Sequence, residues 1–437
     1  MAKLLNTVSQ WVDYIQTLHV REIDLSLDRV KQVYQTLYPQ GVAFTVIGVA
    51  GTNGKGSVAE LLASIYRQST YAVGKYTSPH LLNFNERINI NGQDVSDRAL
   101  INAFERVEAS RANVRLTFFE FGTLVAIDVF MRANLDVVIM EVGLGGRLDA
   151  SNILDADVAI VTSISIDHTA WLGEDINTIA AEKIAIAKPG RVCVIGMPEL
   201  PHSIIAYCSK NDIQTFVYGK EFHASLNKSG SSWDWRSADC EMQSLALPFG
   251  QSGHQLTNAS VALQAVRLLQ TRLELSDEQI RSGLRDASIR GRCQIVSTKP
   301  DIILDVAHNA GSVKSLLQFL EHRANGGRLL AVCGMLQEKE IGNTLGQMLD
   351  CVDEWHFASI DSPRGASAAD VEQRVNTRLQ LVNQAASLKS FQYVTAIDAY
   401  QSACSRLQSD DSLVVFGSFF IVSDIIRHLK NTTTLDS

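Results

Sequence analysis

Short apolar runs rich in β-branched residues alternate with helical patterns along most of the chain. Runs such as VVIMEVG and DIILDVAHN are apolar without alternation, which is typical of parallel strands covered on both faces. The succession of strand, helix and strand indicates βαβ units and therefore an α/β fold built on parallel sheets. The predicted strands span residues 44–50, 137–142, 158–164, 191–196, 213–218, 302–306, 329–333, 354–359 and 413–416.

Two interruptions of this pattern suggest how the chain is divided. Residues 227–240 are polar and weakly periodic, and they predict a hairpin or an insertion because strand-like and helical segments resume after them. A predicted helix at 277–287 is followed by the segment 288–299, after which a new βα series begins. We therefore expect two domains, one over residues 1–290 and a smaller one over 297–437.

Composition excludes several classes of protein. The 437 residues are 46% hydrophobic and 20% charged, which is typical of an ordinary globular protein and not of a disordered, collagen-like or coiled-coil chain. A formal net charge of −8, with no markedly basic stretch, argues against nucleic-acid or membrane partners. The seven scattered cysteines form no CxxC pair, and neither a signal peptide nor a membrane span is recognisable. We expect a cytoplasmic protein.

The segment TVIGVAGTNGKGSVAELLASIYR is the strongest chemical signal. It leads from an apolar strand through a glycine-rich turn into an apolar-faced helix, an arrangement that points backbone N–H groups and a helix N-terminus at phosphate. Lys55 adds a positive charge, and Ser57 offers a hydroxyl to Mg²⁺. The strict GxxxxGK[ST] spacing is not met, and a ligand-free glycine turn is the alternative. The coincidence of all these features predicts a nucleotide site.

Acidic residues follow three of the predicted strands. Glu141 closes one strand, while Asp167 and His168 follow a second, and Asp305 and His308 follow a third. Ligands of open α/β sheets bind beyond the carboxyl ends of strands, and carboxylates suit Mg²⁺. Each residue could instead cap a helix or a turn, and a histidine is a less usual magnesium ligand. Beside a phosphate loop, they become candidates for metal and nucleotide binding.

Lys183 occupies an unexpected position. The stretch EDINTIAAEKIAIAKPG predicts a helix ended by Pro189 and Gly190, and Lys183 falls within its apolar stripe. A buried ammonium is costly unless it is paired. Lys183 therefore either extends its charge to water, or pairs with a carboxylate, or is held in a site for chemistry.

An ordered series of motifs resembles the folylpolyglutamate synthases, and more narrowly their bifunctional bacterial dihydrofolate synthase branch within the Mur ligase superfamily. The resemblance extends from about residue 15 to 420. Its motifs are GTNGKGS at 51–57, TSPHL at 77–81, LTFFEFGTL at 116–124, EVGLGGRLDASN at 141–152, SIDHTAWLG at 165–173, EKIAIAK at 182–188, GHQLTNA at 253–259, GRCQ at 291–294 and DVAHN at 305–309.

The resemblance implies an ATP-dependent amide ligase with a P-loop central domain and a Rossmann-like C-terminal domain. By this resemblance the catalytic residues are Lys55, Glu141, His168 and Lys183, the lysine being carbamylated by CO₂. The implied ATP-binding residues are Thr52, Asn53, Gly54, Lys55, Gly56, Ser57, Asn258, Arg292, Asp305 and His308. The implied Mg²⁺ ligands are Ser57, Ser78, Glu141, His168 and carbamylated Lys183, for two ions; a monovalent cation is a further candidate.

The resemblance also implies a folate pocket, whose residues could alternatively be ordinary packing residues. They are Asp24, Leu25, Leu27, Thr117, Phe118, Phe119, Glu120, Leu148, Asp149 and Ala150. Two positions depart from the family pattern: Cys293 stands where phenylalanine is expected, and Ala310 stands where proline is commoner. Arg364 is a candidate for the glutamate site, with a solvated loop residue as the alternative.

The implied reaction adds L-glutamate to dihydropteroate and to reduced folates through an acyl phosphate, by a monomeric enzyme. Two other functions remain open at this point. A UDP-muramoyl ligase of peptidoglycan synthesis would share the phosphate loop, the lysine and DVAHN, although LTFFEFGTL and EVGLGGRLDASN favour the folate branch. A P-loop ATPase switch would form no bond and would not need glutamate.

Overall fold

A computed structural model describes residues 5–21, 23–250, 253–323, 326–382 and 388–433 of the chain. The chain divides into two compact units, Met1–Ser288 and Ile289–Ser437, each built on its own sheet. Among the described residues, no helix is both long enough and apolar enough to span a bilayer.

The first unit contains eleven strands among its described residues. They are β1 (Thr45–Ala50), β2 (Val73–Tyr76), β3 (Ile88–Ile90), β4 (Gln93–Asp94), β5 (Val137–Glu141), β6 (Val158–Val161), β7 (Val192–Ile195), β8 (Gln214–Val217), β9 (Phe222–Leu226), β10 (Ser232–Ser237) and β11 (Glu241–Ala246). Its described helices are α1 (Val8–Gln16), α2 (Asp28–Leu37), α3 (Lys55–Tyr66), α4 (Asp97–Arg111), α5 (Phe118–Arg132), α6 (Thr169–Leu172), α7 (Ile176–Ile184), α8 (His202–Lys210), α9 (His254–Leu268) and α10 (Asp277–Asp286).

The large sheet of this unit has the strand order β4-β3-β2-β5-β1-β6-β7-β8. Strands β2 to β8 of that order run parallel, while β3 and β4 add an antiparallel edge. The six residues of β1 are all buried because apolar layers cover both faces of this strand. Val46 belongs to the core that contains α5, and Ile47 belongs to the core that contains α3 and α9. The expected parallel α/β fold is confirmed.

The polar segment at 227–240 lies in a small antiparallel sheet of order β11-β10-β9. The chain turns between β9 and β10 and again between β10 and β11, so the predicted hairpin is present. Trp233 and Trp235 on β10 are fully buried in the core shared with α3 and α9. These two indoles explain why a segment of polar composition folds onto the unit.

The second unit has a six-stranded sheet of order β12-β13-β17-β14-β15-β16. Its strands are β12 (Gln294–Thr298), β13 (Asp301–Leu304), β14 (Leu329–Cys333), β15 (Glu354–Ala358), β16 (Ser390–Tyr393) and β17 (Ser412–Phe416). Its described helices are α11 (Ala310–Arg323), α12 (Ile341–Leu345), α13 (Ala368–Val382), α14 (Ala396–Arg406) and α15 (Phe419–Thr433). All neighbouring strands are parallel except β12, which pairs antiparallel with β13.

Two boundaries differ from the sequence-based expectation. The segment 288–299 includes β12, so the second sheet begins at Gln294 and not after residue 297. The helix α7 ends at Ile184, well before Pro189, because its last turn is closed at Ala185. Lys183 therefore lies in the last turn of α7, where it is buried together with Ala180 and Ile184.

Candidate functional site

The glycine-rich turn between β1 and α3 adopts a conformation that requires glycine at two positions. Gly51 has a φ of 146°, and Gly54 has a φ of 90° in the left-handed region. A Cβ atom on Gly51 would lie 1.9 Å from Thr162 Oγ1, and one on Gly54 would lie 2.4 Å from Asn258 Oδ1. The predicted ATP-binding residue Asn258, on α9, therefore packs directly against the turn.

Hydrogen bonds fix this turn to the end of β6. The Thr52 N–H donates to the Ser163 carbonyl (2.7 Å), and Thr162 Oγ1 donates to the Asn53 carbonyl (2.6 Å). Gly56 and Ser57 form the first turn of α3, and the Ser57 side chain is buried. The turn thus presents the N-terminus of α3 in a fixed position, which is the arrangement that binds phosphate.

Two lysine side chains meet at one carbonyl oxygen. Lys55 Nζ donates to the Gly51 carbonyl at 3.1 Å, and Lys183 Nζ donates to the same oxygen at 3.2 Å. Lys183 is only 5% exposed, so it does not extend its charge to water. Burial, followed by the positive charge of Lys55, lowers the pKa of Lys183 to about 7. The pair forms a concentrated positive region beside the phosphate loop.

A cavity brings several predicted residues together. Its walls include Gly51, Thr52, Lys55, the segment 142–145, Asp167, His168 and Lys183. His168 precedes α6 with a left-handed φ of 54°, and its N–H donates to Asp167 Oδ1 (2.8 Å). The side chain of Asp167 is nearly buried, whereas that of His168 is 40% exposed. The structure therefore places a carboxylate and an imidazole opposite the two lysines.

Glu141 and Ser78 form a second pair of predicted ligands. Glu141 ends β5, beside Val49 of β1, and is almost fully buried. Its Oε2 accepts a hydrogen bond from the Ser78 N–H (3.2 Å), so the loop 77–81 after β2 is tied to the end of β5. The segment 142–145, which follows Glu141, lines the cavity.

The metal-binding potential of these residues depends on what they can supply together. Among the described residues, no group of three or more His, Cys, Asp or Glu side chains is arranged around one point. Mg²⁺ is commonly bound by one or two carboxylates together with substrate phosphates and water, and not by an all-protein cage. Glu141 with the Ser57 and Ser78 hydroxyls fits that type of site, and His168 can add a nitrogen ligand.

The predicted folate residues of α5 lie at its first turn. Thr117 caps the helix: its Oγ1 accepts from the Glu120 N–H (3.2 Å), and Glu120 Oε2 accepts from the Thr117 N–H (2.8 Å). The Phe119 ring packs against Tyr76, and a Cβ on Gly143 would lie 2.5 Å from that ring. Because Gly143 also lines the cavity, the predicted folate segment adjoins the cavity beside the phosphate loop.

Arg29, which the sequence did not single out, joins two parts of the predicted folate pocket. Its Nη2 donates to the Asp24 carbonyl (2.9 Å), its Nη1 donates to Asp24 Oδ2 (3.3 Å), and Nη2 lies 3.2 Å from Glu120 Oε1. The segment 23–27 has no regular secondary structure, so these bonds hold it against the start of α5. Leu25 and Leu27 in this segment are half-buried.

The loop after β5 supplies the remaining predicted folate residues. Asp149 is buried and accepts hydrogen bonds from the Leu144 N–H (2.8 Å) and the Ser151 hydroxyl (2.6 Å). Burial raises the pKa of Asp149, while these bonds oppose the shift. Leu148 is half-buried and Ala150 is buried. The carboxylate of Asp149 thus also stabilises the cavity wall at Leu144.

In the second unit, three predicted ATP-binding residues lie close together. Asp305 is buried and accepts from the Cys293 N–H and the Ala307 N–H, each at 2.7 Å. Burial raises the pKa of Asp305, and the neighbouring Arg292 opposes that shift. Arg292 and His308 both pack against the Phe419 ring, at 5.9 and 6.2 Å from its centroid.

The positions that depart from the family pattern, and the glutamate candidate, have clear local contacts. Cys293 has a positive φ of 42°, and its Sγ lies 3.4 Å from Asp305 Oδ2. Ala310 begins α11. The exposed Arg364 forms an ion pair with Glu338, and its role in glutamate binding stays a prediction.

Comparison with known proteins identifies two domains of one superfamily. Residues 49–266 match the Mur ligase middle domain, and residues 291–419 match the Mur ligase glutamate ligase domain. The dihydrofolate synthase/folylpolyglutamate synthase of Escherichia coli (strain K12) is 39% identical over 420 residues, which cover 96% of this chain and 95% of that protein.

Solved structures agree with the sequence comparison. Escherichia coli FolC in complex with DHPP and ADP has a TM-score of 0.91 at 37% identity, covering 98% of this chain and 99% of that one. The bifunctional folylpolyglutamate synthase/dihydrofolate synthase of Yersinia pestis complexed with AMPPNP and Mn ion has a TM-score of 0.88 at 39% identity, covering 97% and 98%.

Proposed function

The chain belongs to the dihydrofolate synthase/folylpolyglutamate synthase family of Mur-type ligases, and we propose that it adds L-glutamate to dihydropteroate and to tetrahydrofolates with cleavage of ATP to ADP and phosphate. The observation that carries this proposal is the meeting of Lys55 and Lys183 at the Gly51 carbonyl, in a cavity that adjoins the aromatic start of α5. A phosphate-binding loop next to a pocket for a flat organic substrate is what such a ligase requires. Neither a UDP-muramoyl ligase nor a switch ATPase is favoured by the full-length similarity.

The reaction proceeds in two steps. A carboxylate oxygen of the substrate attacks the γ-phosphorus of ATP, and the bond to the β–γ bridging oxygen breaks, giving an acyl phosphate and ADP. The glutamate amine then attacks the activated carbonyl carbon, phosphate leaves, and a proton is lost from nitrogen. Lys55 and the N-terminus of α3 hold the phosphates, and Asn258 supports the loop from α9. No side-chain nucleophile is needed because positioning and charge stabilisation carry the catalysis.

The proposed Mg²⁺ ligands are Ser57, Ser78, Glu141 and His168, and a second ion or a monovalent cation belongs to the same proposal. Bound magnesium neutralises phosphate charge and so favours phosphoryl transfer. The chain itself keeps Glu141 fixed through the Ser78 N–H, and it keeps Asp167 fixed against the His168 N–H.

Lys183 is proposed to carry a carbamate. Its neutral amine attacks CO₂, forming an N–C bond and releasing one proton. The lowered pKa supports this step because only the neutral amine is nucleophilic, and at a pKa of about 7 much of the amine is neutral at physiological pH. The product replaces a buried positive charge by oxygen ligands.

The proposed substrate pocket consists of the ten folate residues predicted above, with Arg29 as an added structural element. We also propose that residues 1–290 and 297–437 act as the P-loop domain and the Rossmann-like C-terminal domain, and that Arg292, Asp305 and His308 serve ATP. A monomeric, cytoplasmic enzyme completes the proposal. Size-exclusion chromatography with light scattering tests the monomer.

One experiment separates the possible functions. Dihydropteroate, tetrahydrofolate and a UDP-muramoyl substrate are supplied separately with MgATP and the matching amino acid, and products are identified by mass. We expect glutamylated products from the first two substrates only, with ADP release that depends on glutamate. Glutamate-independent ADP release without a new amide would refute the ligase function.

The acyl phosphate is tested by isotope transfer. Dihydropteroate labelled with ¹⁸O in its carboxylate should give phosphate that contains one ¹⁸O atom, because a carboxylate oxygen becomes the bridge to phosphorus. Unlabelled phosphate would exclude this intermediate.

A further inference from the structure

Arg87 is a buried cation that the proposed function does not use. It ends the short 3₁₀ turn Phe84–Arg87, just before β3, and is only 7% exposed. Its guanidinium carbon lies 5.5 Å from the centroid of the Phe84 ring and 5.2 Å from that of the Phe118 ring. Placing a guanidinium in such surroundings is costly unless its interactions compensate for the lost water.

The polar contacts of Arg87 extend towards the site. Its Nε donates to His80 Nδ1 at 2.8 Å, so Nδ1 acts as the acceptor and the neutral imidazole carries its proton on Nε2. Burial lowers the pKa of Arg87, and the charges of Tyr76 and Glu141 oppose that shift. Arg87 is therefore within electrostatic reach of the proposed metal ligand Glu141.

Two parts of the site converge on this one side chain. Phe118, at the first turn of α5, belongs to the proposed folate pocket. His80 belongs to the loop 77–81, whose Ser78 N–H donates to Glu141. Arg87 thus contacts both the aromatic wall of the pocket and the loop that carries a proposed metal ligand.

We propose that Arg87 is a positioning residue that couples the folate-binding wall at Phe118 to the metal-binding loop 77–81. The inference rests on the proposed function and adds to it a physical link between substrate binding and metal binding. An arginine suits this position because its planar guanidinium packs on rings while its edge donates hydrogen bonds. Lysine would keep the charge but would lose both the planar packing and the Nε donor.

The alternative is a purely structural cation that only stabilises the first unit. Arg111 provides the matched comparison. It is also largely buried, at 9% exposed, but it bonds to Glu108 and Tyr14 and has no place in the proposed site. A structural cation should affect thermal stability alone, whereas a positioning residue should also change ligand binding.

The test compares the wild-type chain with R87M, R87K, H80Q and R111M. Three quantities are measured: the thermal midpoint, the KM values for dihydropteroate and ATP, and Mn²⁺ affinity by electron paramagnetic resonance in the presence of a non-hydrolysable ATP analogue. R87M and R87K should raise the KM for dihydropteroate by about tenfold and weaken Mn²⁺ binding severalfold, since desolvated cation–π and hydrogen-bond contacts are lost. The KM for ATP should change less than about twofold, because Lys55 and the turn hold the phosphates.

H80Q and R111M separate the two arms of the proposal. H80Q removes the imidazole acceptor and should weaken Mn²⁺ binding while leaving the KM for dihydropteroate near the wild-type value. R111M should lower the thermal midpoint and leave both binding measurements unchanged.

Several outcomes would overturn the coupling role. One is an Arg87 variant that changes only the thermal midpoint, as R111M is expected to do. If R87M does not fold, R87K and H80Q decide: an unchanged KM in R87K, or unchanged Mn²⁺ binding in H80Q, refutes the coupling. A wild-type chain that does not glutamylate dihydropteroate would instead refute the proposed function.

Discussion

The buried amine of Lys183 is the residue whose chemistry the structure constrains most tightly. Its Nζ bonds to the Gly51 carbonyl, and Lys55 bonds to the same oxygen. A second positive charge at this distance disfavours the ammonium form. A carbamate would turn the repulsion between the two lysines into an attraction.

Substitution of Lys183 tests the carbamate directly. Lys183→Ala should lose activity by about a hundredfold or more, because a group that stabilises transition-state charge is removed. Acetate or another small carboxylic acid should restore part of the activity by occupying the vacated space. Lys183→Arg should stay inactive, since arginine keeps the positive charge but cannot become a carbamate. The rates are measured as glutamate-dependent ADP release.

The outcome that contradicts carbamylation is an active Lys183→Arg variant. That result would mean that positive charge or packing at this position is what matters. Mass spectrometry of the intact wild-type chain under ¹³CO₂, after chemical trapping of the carbamate, provides a measurement that is independent of turnover.

The lowered pKa of Lys183 also predicts a pH dependence of stability. In CO₂-free buffer without metal, the unfolded chain binds this proton with the ordinary pKa of 10.5, whereas the folded chain binds it only below about 7. The folded state therefore loses stability as pH falls from 10.5 to 7, by up to about 1.4 kcal/mol per pH unit. Urea unfolding of the wild type and of Lys183→Met at pH 7.5 and 9.5 measures the effect as the change in their difference.

A difference between the two chains that stays constant between pH 7.5 and 9.5 would contradict this prediction. The comparison with Lys183→Met cancels the titration of tyrosines and cysteines, which both chains share.

Individual residues differed in how well the sequence predicted their roles. Lys183 could be identified because helical periodicity places it in an apolar stripe, and Lys55 because it lies within a recognisable turn. Arg29 and Arg87 were missed because their partners, Glu120 and Phe118, lie on a helix far along the chain. No local spacing reports a contact between such distant segments.

At the scale of elements, the turn between β1 and α3 is the most sensitive to substitution. Gly54→Ala combines a left-handed φ with a contact of 2.4 Å to Asn258, so the turn must shift. We expect nucleotide affinity to fall by at least about tenfold, because the N–H groups that hold phosphate belong to this turn. Isothermal titration with AMPPNP measures the loss.

Gly230→Ala is the matched control for this prediction. Gly230 also has a positive φ, of 70°, but a Cβ there meets no atom within 4 Å, and the residue lies in the turn between β9 and β10. It should lower stability by about 1 kcal/mol and leave nucleotide affinity unchanged. Equal affinity losses in both variants would show that strain, and not the local clash, is responsible.

The junction between the segment 23–27 and α5 depends on Arg29. Arg29→Met should raise the KM for dihydropteroate by about fivefold to tenfold, because the irregular segment loses its bonds to Glu120 and the Asp24 position moves. The KM for ATP should stay within a factor of about two. Steady-state kinetics with each substrate varied in turn provides the measurement.

Arg272→Met serves as the control for Arg29, because Arg272 forms an exposed ion pair with Asp157. Such pairs contribute little to stability. If Arg29→Met matches this control in all kinetic constants, Arg29 does not organise the pocket.

Elements were predictable in proportion to how apolar they are. The buried strands, such as β5 and β14, were predicted within a residue or two because both faces require apolar side chains. The short strands β2, β3 and β12 were missed because they contain polar residues or glycine and are paired through distant segments. Pairing of this kind depends on the completed sheet and not on local sequence.

For the whole molecule, the proposal of one folate pocket has a kinetic consequence. Dihydropteroate should inhibit the glutamylation of tetrahydrofolate competitively, because both substrates would use the same residues at the start of α5 and the same cavity. Initial rates at several concentrations of both substrates give the inhibition pattern. A non-competitive pattern would indicate two separate sites.

The general class of the molecule was accessible from sequence because alternating strand and helix patterns and an ordered set of motifs extend over most of the chain. The position of the change between units was less so. β12 is antiparallel and lies at the edge of its sheet, and its half-exposed residues resemble a linker more than a strand. Edge strands carry the weakest apolar signal of a sheet.

The pairing of β1 has a consequence for the chain during its synthesis. Thr45 pairs with Val137 and Ile47 pairs with Val158, so β1 leaves the ribosome roughly 90 residues before its first neighbour in the sheet. At a translation rate of about 5–20 residues per second, this apolar strand waits for several seconds without a partner. The phosphate loop, whose bonds to residues 162–165 require β6, cannot take its shape before then. The nascent protein therefore passes through a stage in which the segment that will bind nucleotide is a site for chaperones.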